Sequence, residues 1–116
     1  MRLRLWLSKA LLVLLIVSCN IEAKVLSYQQ LLGQLNALLT AKNYQKAYQL
    51  ADEYTFQYGG EPEFDLLAGF AAYGSEKYQE AVFAFERVVL VKPASFLGRF
   101  YLAQTYQKVN NLKAAI

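Results

Sequence analysis

Residues 34 apart in this chain keep the same character. The stretch "NYQKAYQLA" (43–51) lies over "KYQEAVFAF" (77–85), which puts Tyr44 on Tyr78, Lys46 on Glu80 and Ala47 on Ala81. A further step of 34 carries Tyr78 to Leu112 and Ala81 to Ala115, while Leu38, Ala72 and Tyr106 share another register. A period of this length means one supersecondary unit per copy. Such a unit cannot bury its apolar face alone and does so by stacking on its neighbours.

Each copy reads as two helices. In the first, Ser27 with Gln30 three residues on is a capping box. Leu31, Leu32, Leu35, Leu38 and Leu39 then recur at helical spacing. "AKN" (41–43) makes the turn, a second helix spans about 44–58, and Gly59-Gly60 ends it. The second copy opens with Pro62 at a first helical position. It turns near "SEK" (75–77) and runs to Pro93, which stops it by restricting Lys92. The third starts at Ser95 and reaches "NN" (110–111), read as a turn into the first residues of a further helix. The predicted fold is all-α: antiparallel helix pairs over residues 28–61, 62–95 and an incomplete 96–116, about two and a half units. Small residues (Ala47, Gly69, Ala72, Ala81) mark close helix approaches, and Tyr54, Phe85 and Val88 fill the space beside them.

This 34-residue helix-turn-helix with small/large alternation resembles the tetratricopeptide repeat. Gly69 stands at the family's eighth position and Tyr106 at its eleventh. Tyr44 and Tyr78 stand at the seventeenth, Ala47, Ala81 and Ala115 at the twentieth, Phe85 at the twenty-fourth and Pro93 at the thirty-second. The resemblance covers about 28–116 and implies an α-solenoid. The chain departs from the pattern at the fourth position, where Asp65 and Arg99 replace a large apolar residue; each is expected to face solvent or pair with a neighbour. Lys42, Glu76 and Asn110 replace the glycine of the tight turn, and Gln34 occupies a usual core position, so the first unit reads as an atypical cap. The rival reading of the same periodicity is an unrelated helical bundle. A narrower likeness, carried by "PEFDLLAG" (62–69) and "AVFAFERV" (81–88), is to the periplasmic repeats of the Gram-negative surface lipoprotein assembly modifiers. It implies a β-barrel beyond the repeats, absent from these 116 residues.

The first residues have the layout of an export signal. "MRLRLWLSK" is basic, "ALLVLLIV" (10–17) is apolar but shorter than the ~20 residues a membrane span needs, and a polar stretch follows. Ordinary cleavage after Ala23, giving a signal peptide of 1–23 and a domain of 24–116, is the favoured reading. The alternative is "IVSC" (16–19) as a lipobox, with a signal of 1–18 and a lipidated Cys19. The protein is therefore expected in the periplasm or at the periplasmic face of the outer membrane. Neither reading leaves a free thiol, so no disulfide framework is expected. From Lys24 onward nine Lys/Arg face eight Asp/Glu, a net +1 without a basic cluster, which argues against a nucleic-acid partner.

The chain has no histidine, the commonest general acid–base and metal-binding residue, and an enzyme, a metal or a cofactor is not expected. Glu61, Glu63 and Asp65 read as acids at a helix N-terminus, worth ~0.3–1 kcal/mol each. The tetratricopeptide resemblance implies a concave surface built by the first helix of each unit. Its groove positions map to Leu32, Asn36 and Leu39, to Leu66, Phe70 and Tyr73, and to Phe100, Gln104 and Gln107. Phe70, Tyr73 and Phe100 are the expected aromatic contacts, and Asn36 and Gln104 could hydrogen-bond a bound backbone. The competing role of Leu32, Leu66 and Phe100 is packing between helices. The expected function is an exported protein-interaction module holding a protein or peptide. The alternative is the periplasmic part of an outer-membrane β-barrel assembly or translocation protein. An ending a few residues into a helix is expected of a truncated product.

Overall fold

The computed structural model describes residues 25–115, and side chains as far as Leu112. The predicted signal segment, both cleavage readings with Cys19 and Lys24, the side chain of Ala115 and Ile116 lie outside the described residues. Those residues form five helices and no strand: α1 (Tyr28–Thr40), α2 (Tyr44–Tyr58), α3 (Pro62–Gly74), α4 (Tyr78–Val91) and α5 (Phe96–Ala115). The chain divides into two compact units, 1–31 and 32–116, with the boundary inside α1.

In the described part of the first unit, Ser27 and Gln30 form the capping box. The Gln30 N–H donates to Ser27 Oγ at 3.2 Å and the Ser27 N–H donates to Gln30 Oε1 at 3.0 Å, so each side-chain oxygen satisfies a backbone donor that lacks a helical partner.

In the second unit, α2 packs on α3, α3 on α4 and α4 on α5, and α3 also meets α5. The connections 59–61, 75–77 and 92–95 are too short to return the chain to its starting end, so neighbouring helices run antiparallel. Ala47 and Ala51 of α2 are buried one turn apart. In α3, Phe64, Ala68, Ala71 and Ala72 form the buried stripe; in α4, Ala81, Ala84, Phe85 and Val88 do so. The centre is Ala72, Ala81 and Phe85, with Tyr48, Leu66, Phe70, Tyr73, Tyr101 and Leu102 packed around it. Gly69 lets the Phe85 ring of α4 lie directly against α3: a Cβ there would meet that ring at 2.4 Å.

Two turns are alike and lie one period apart. After α1, the Lys42 N–H donates to the Leu39 carbonyl (3.0 Å) and the Asn43 N–H to the Leu38 carbonyl (2.8 Å). After α3, the Glu76 N–H donates to the Tyr73 carbonyl (3.0 Å) and the Lys77 N–H to the Ala72 carbonyl (2.8 Å). These are Schellman caps, which need a left-handed residue just past the helix. Lys42 (φ 58°) and Glu76 (φ 60°) supply it without being glycine. The 59–61 turn differs: Gly60 carries the positive φ of 101° and Pro62 begins α3. Ser95 caps α5, its Oγ accepting the Gly98 N–H at 3.1 Å.

The expected turn at Asn110-Asn111 is not formed; α5 runs through both residues to Ala115. Continuing a helix through Asn costs at most ~0.7 kcal/mol per residue in propensity. A Schellman turn would hold Asn110 in the left-handed region, a strain repaid only when a following helix packs back. Going straight on keeps the helical hydrogen bonds through Asn110 and Asn111.

Candidate functional site

The six principal walls of one groove, of about 490 Å3, come from all five helices: Leu39 from α1, Tyr44 from α2, Phe70 and Tyr73 from α3, Tyr78 from α4 and Tyr101 from α5. Gly74 and Glu76, at the end of α3 and in its cap, complete it. The Tyr44 ring lies so close over Gly74 that a Cβ there would meet ring carbons at 2.2–2.7 Å. Glycine at 74 lets the first ring of α2 lie flat on α3.

The aromatic side chains hold one another at steep angles. Phe70 and Tyr101 meet edge to face, centroids 4.7 Å apart and planes at 79°. Tyr73 does the same with Tyr78 (5.5 Å, 72°) and with Tyr101 (6.3 Å, 76°). Behind them Phe85, fully buried, lies against Phe70 at 5.7 Å and Tyr101 at 5.9 Å. Tilted and edge-to-face pairs are the geometry the ring quadrupole favours, so the walls are set by the core and not by solvent-exposed rotamers.

Of the groove residues expected from the sequence, Phe70 and Tyr73 stand together in this groove, half-buried, with Leu39 beside them. Phe100 is exposed and stacks on Phe96 at 5.7 Å; it lines a different cleft with Ala94, Phe96 and Arg99. Asn36 is exposed and Gln104 half-buried, and neither lines the groove. Leu32 is buried, as its packing role required. Tyr44, Tyr78 and Tyr101 are walls that face-counting missed. The signal for the first two was present: Tyr44 and Tyr78 open the second helices one period apart.

A second, smaller space of about 140 Å3 lies between α2, α3 and α4, walled by Ala51, Ala68, Ala72 and Ala84 together with Tyr48, Asp52 and Glu80. Burial first, then the carboxylates of Glu80 and Asp52, push the Tyr48 hydroxyl above its usual pKa. The Tyr106 hydroxyl is raised as well, chiefly because it donates to Glu86 Oε1 at 2.5 Å.

Asp65, one of the two departures from the repeat pattern, is fully buried and paired. Its Oδ1 accepts the Arg87 Nε–H at 3.0 Å and its Oδ2 accepts the Gly60 N–H at 2.8 Å. Arg99, the other, is exposed. Among the described residues no group of three or more His, Cys, Asp or Glu is placed to hold a metal ion, and no helix is long and apolar enough to cross a membrane. Comparison with family models, with curated proteins and with solved structures returns no match.

Proposed function

We propose that this protein is an exported, non-enzymatic interaction module of tetratricopeptide-repeat type that holds a segment of a protein partner in the groove of Phe70, Tyr73 and Tyr101. The observation that carries the reading is the groove itself. Every helix sends one or two apolar or aromatic side chains to it, and the rings are braced from behind by Phe85. Rigid aromatic side chains lose little entropy on contact and commonly anchor interfaces. Supporting the repeat assignment are the two Schellman caps 34 residues apart and the packing of α2 on α3, α3 on α4 and α4 on α5. Supporting export is the basic-then-apolar pattern of the first 17 residues.

The test is cross-linking pull-down from a bacterial cell-envelope extract with the wild-type chain and with Phe70→Ala and Tyr73→Ala, each checked for retained helicity by circular dichroism. Both substitutions are expected to deplete the captured polypeptides at least tenfold. Capture of the same polypeptides at wild-type yield by folded variants would remove the groove from the assignment. Intact mass of the exported protein separates Lys24 from a lipidated Cys19 as its first residue.

A further inference from the structure

Among the described residues that line the groove, Glu76 is the only ionisable acid or base apart from the phenols, and none is a lysine or arginine. Among the described residues the only ion pair is Arg87–Asp65, so no described lysine or arginine stands within ion-pair distance of the Glu76 carboxylate. Lys77 holds its ammonium 5.2 Å from the centre of the Tyr48 ring. Lys42 shares a neighbouring cleft with Glu76 but forms no ion pair with it. Glu76 is also not free to swing its backbone away, since the α3 cap pins it through two hydrogen bonds either side of its own left-handed φ.

The walls add to the same field. Tyr73 stands at 72° to Tyr78 and 76° to Tyr101, so these rings enclose a corner and do not form a flat stack. Aromatic faces are negative, and a cation within about 6 Å of a ring centroid is attracted to it. A purely apolar occupant would leave the Glu76 carboxylate and the tyrosine oxygens unused. An anionic occupant would meet a carboxylate and negative ring faces together. A cationic side chain is the one class that uses both, and a guanidinium also stacks on aromatic planes.

We infer that the groove recognises an extended partner segment by one cationic side chain, arginine above all, set between apolar residues and held against Tyr73, Tyr78 and Tyr101 with its charge at Glu76. This rests on the proposed interaction role of the groove and names the chemistry of its partner.

Fluorescein-labelled pentapeptides with leucine on either side of a central residue, either arginine, norleucine or glutamate, are titrated against the full 116-residue chain by anisotropy. The arginine peptide is expected to bind at least tenfold tighter than the norleucine peptide, ~1.4 kcal/mol, and the glutamate peptide weakest. Glu76→Gln should lower arginine-peptide affinity about tenfold and leave norleucine-peptide affinity within twofold. Equal affinity for arginine and norleucine peptides, or an arginine affinity untouched by Glu76→Gln, overturns the inference. If those peptides still lose binding in Tyr73→Ala, the groove remains an apolar interaction site. If no peptide binds and folded Phe70→Ala and Tyr73→Ala capture the wild-type partners, the interaction reading of the groove fails together with it.

Discussion

Asp65 has no exposed surface, and three elements meet at its carboxylate: the turn after α2 through Gly60, its own helix α3, and α4 through Arg87. The two partners are unequal, since the Arg87 side chain keeps about a third of its surface in water (36%). Losing Arg87 therefore strands a buried carboxylate on a single backbone donor, whereas losing the charge of Asp65 leaves a cation that can still be hydrated. Stranding one member of a buried pair costs ~3–5 kcal/mol. Arg87→Ala is expected near ~3 kcal/mol, the low end of that range, because Gly60 still donates. Asp65→Asn keeps an acceptor for Gly60 and should cost ~1 kcal/mol, the scale of one hydrogen bond. The double variant should be more stable than Arg87→Ala alone, and denaturant melts of the three proteins test this. A double variant as unstable as the sum of the singles would mean that Asp65 and Arg87 act independently. The sequence showed that position 65 broke the repeat pattern and had to be solvated or paired. It could not show the partner, because Arg87 is 22 residues away and reaches Asp65 only once α3 and α4 have packed.

At the scale of the element, local signals were legible wherever they closed within one turn of chain. The capping box at Ser27, the span of α2, Pro62 at the start of α3 and Ser95 before α5 are all formed as read. The "NN" of α5 misled because a turn residue is only a permission. Whether the chain turns depends on what the next segment can bury. The Schellman caps at Lys42 and Glu76 are the converse case, turns formed by residues that dislike the required φ; at Glu76, α4 packs back on α3 and repays the strain. A non-glycine residue in the left-handed region costs roughly 1–2 kcal/mol. Glycine would remove that cost but gives back part of it as unfolded-state entropy. Lys42→Gly and Glu76→Gly are each expected to stabilise by ~0.5–1 kcal/mol, raising the melting temperature by about 2–8 °C in a chain of this size. A lower melting temperature in Lys42→Gly would show that its side chain contributes more than its backbone costs. Glu76→Gly is the less clean of the two, since it also removes the groove's carboxylate.

At the scale of the whole second unit, the all-helical fold was legible, and Phe70 and Tyr73, named together from the sequence, line one cavity. The remaining walls were not, because Tyr44, Tyr78 and Tyr101 enter the groove from helix ends and from α5, where a count of helical faces does not reach. What governs stability here is which helices are covered on more than one side. α3 packs on α2, α4 and α5, and α4 packs on α3 and α5. α5 leaves Phe96, Leu97, Phe100, Tyr106 and Leu112 exposed, and from Asn110 onward it has no described residue that is buried. In arrays where each helix pair leans on its neighbours, opening proceeds from the less covered end. Amide hydrogen exchange of the full chain should therefore show a gradient. Ala72, Ala81 and Phe85 are expected to exchange slowest, near the rate set by global unfolding. Amides beyond Tyr106 should exchange at least 100-fold faster, since opening them exposes almost no buried apolar surface. The gradient should not depend on protein concentration. Distal α5 amides protected as strongly as those of α3 would mean that this face is covered, and protection that rises with concentration would identify the cover as a second copy of the chain.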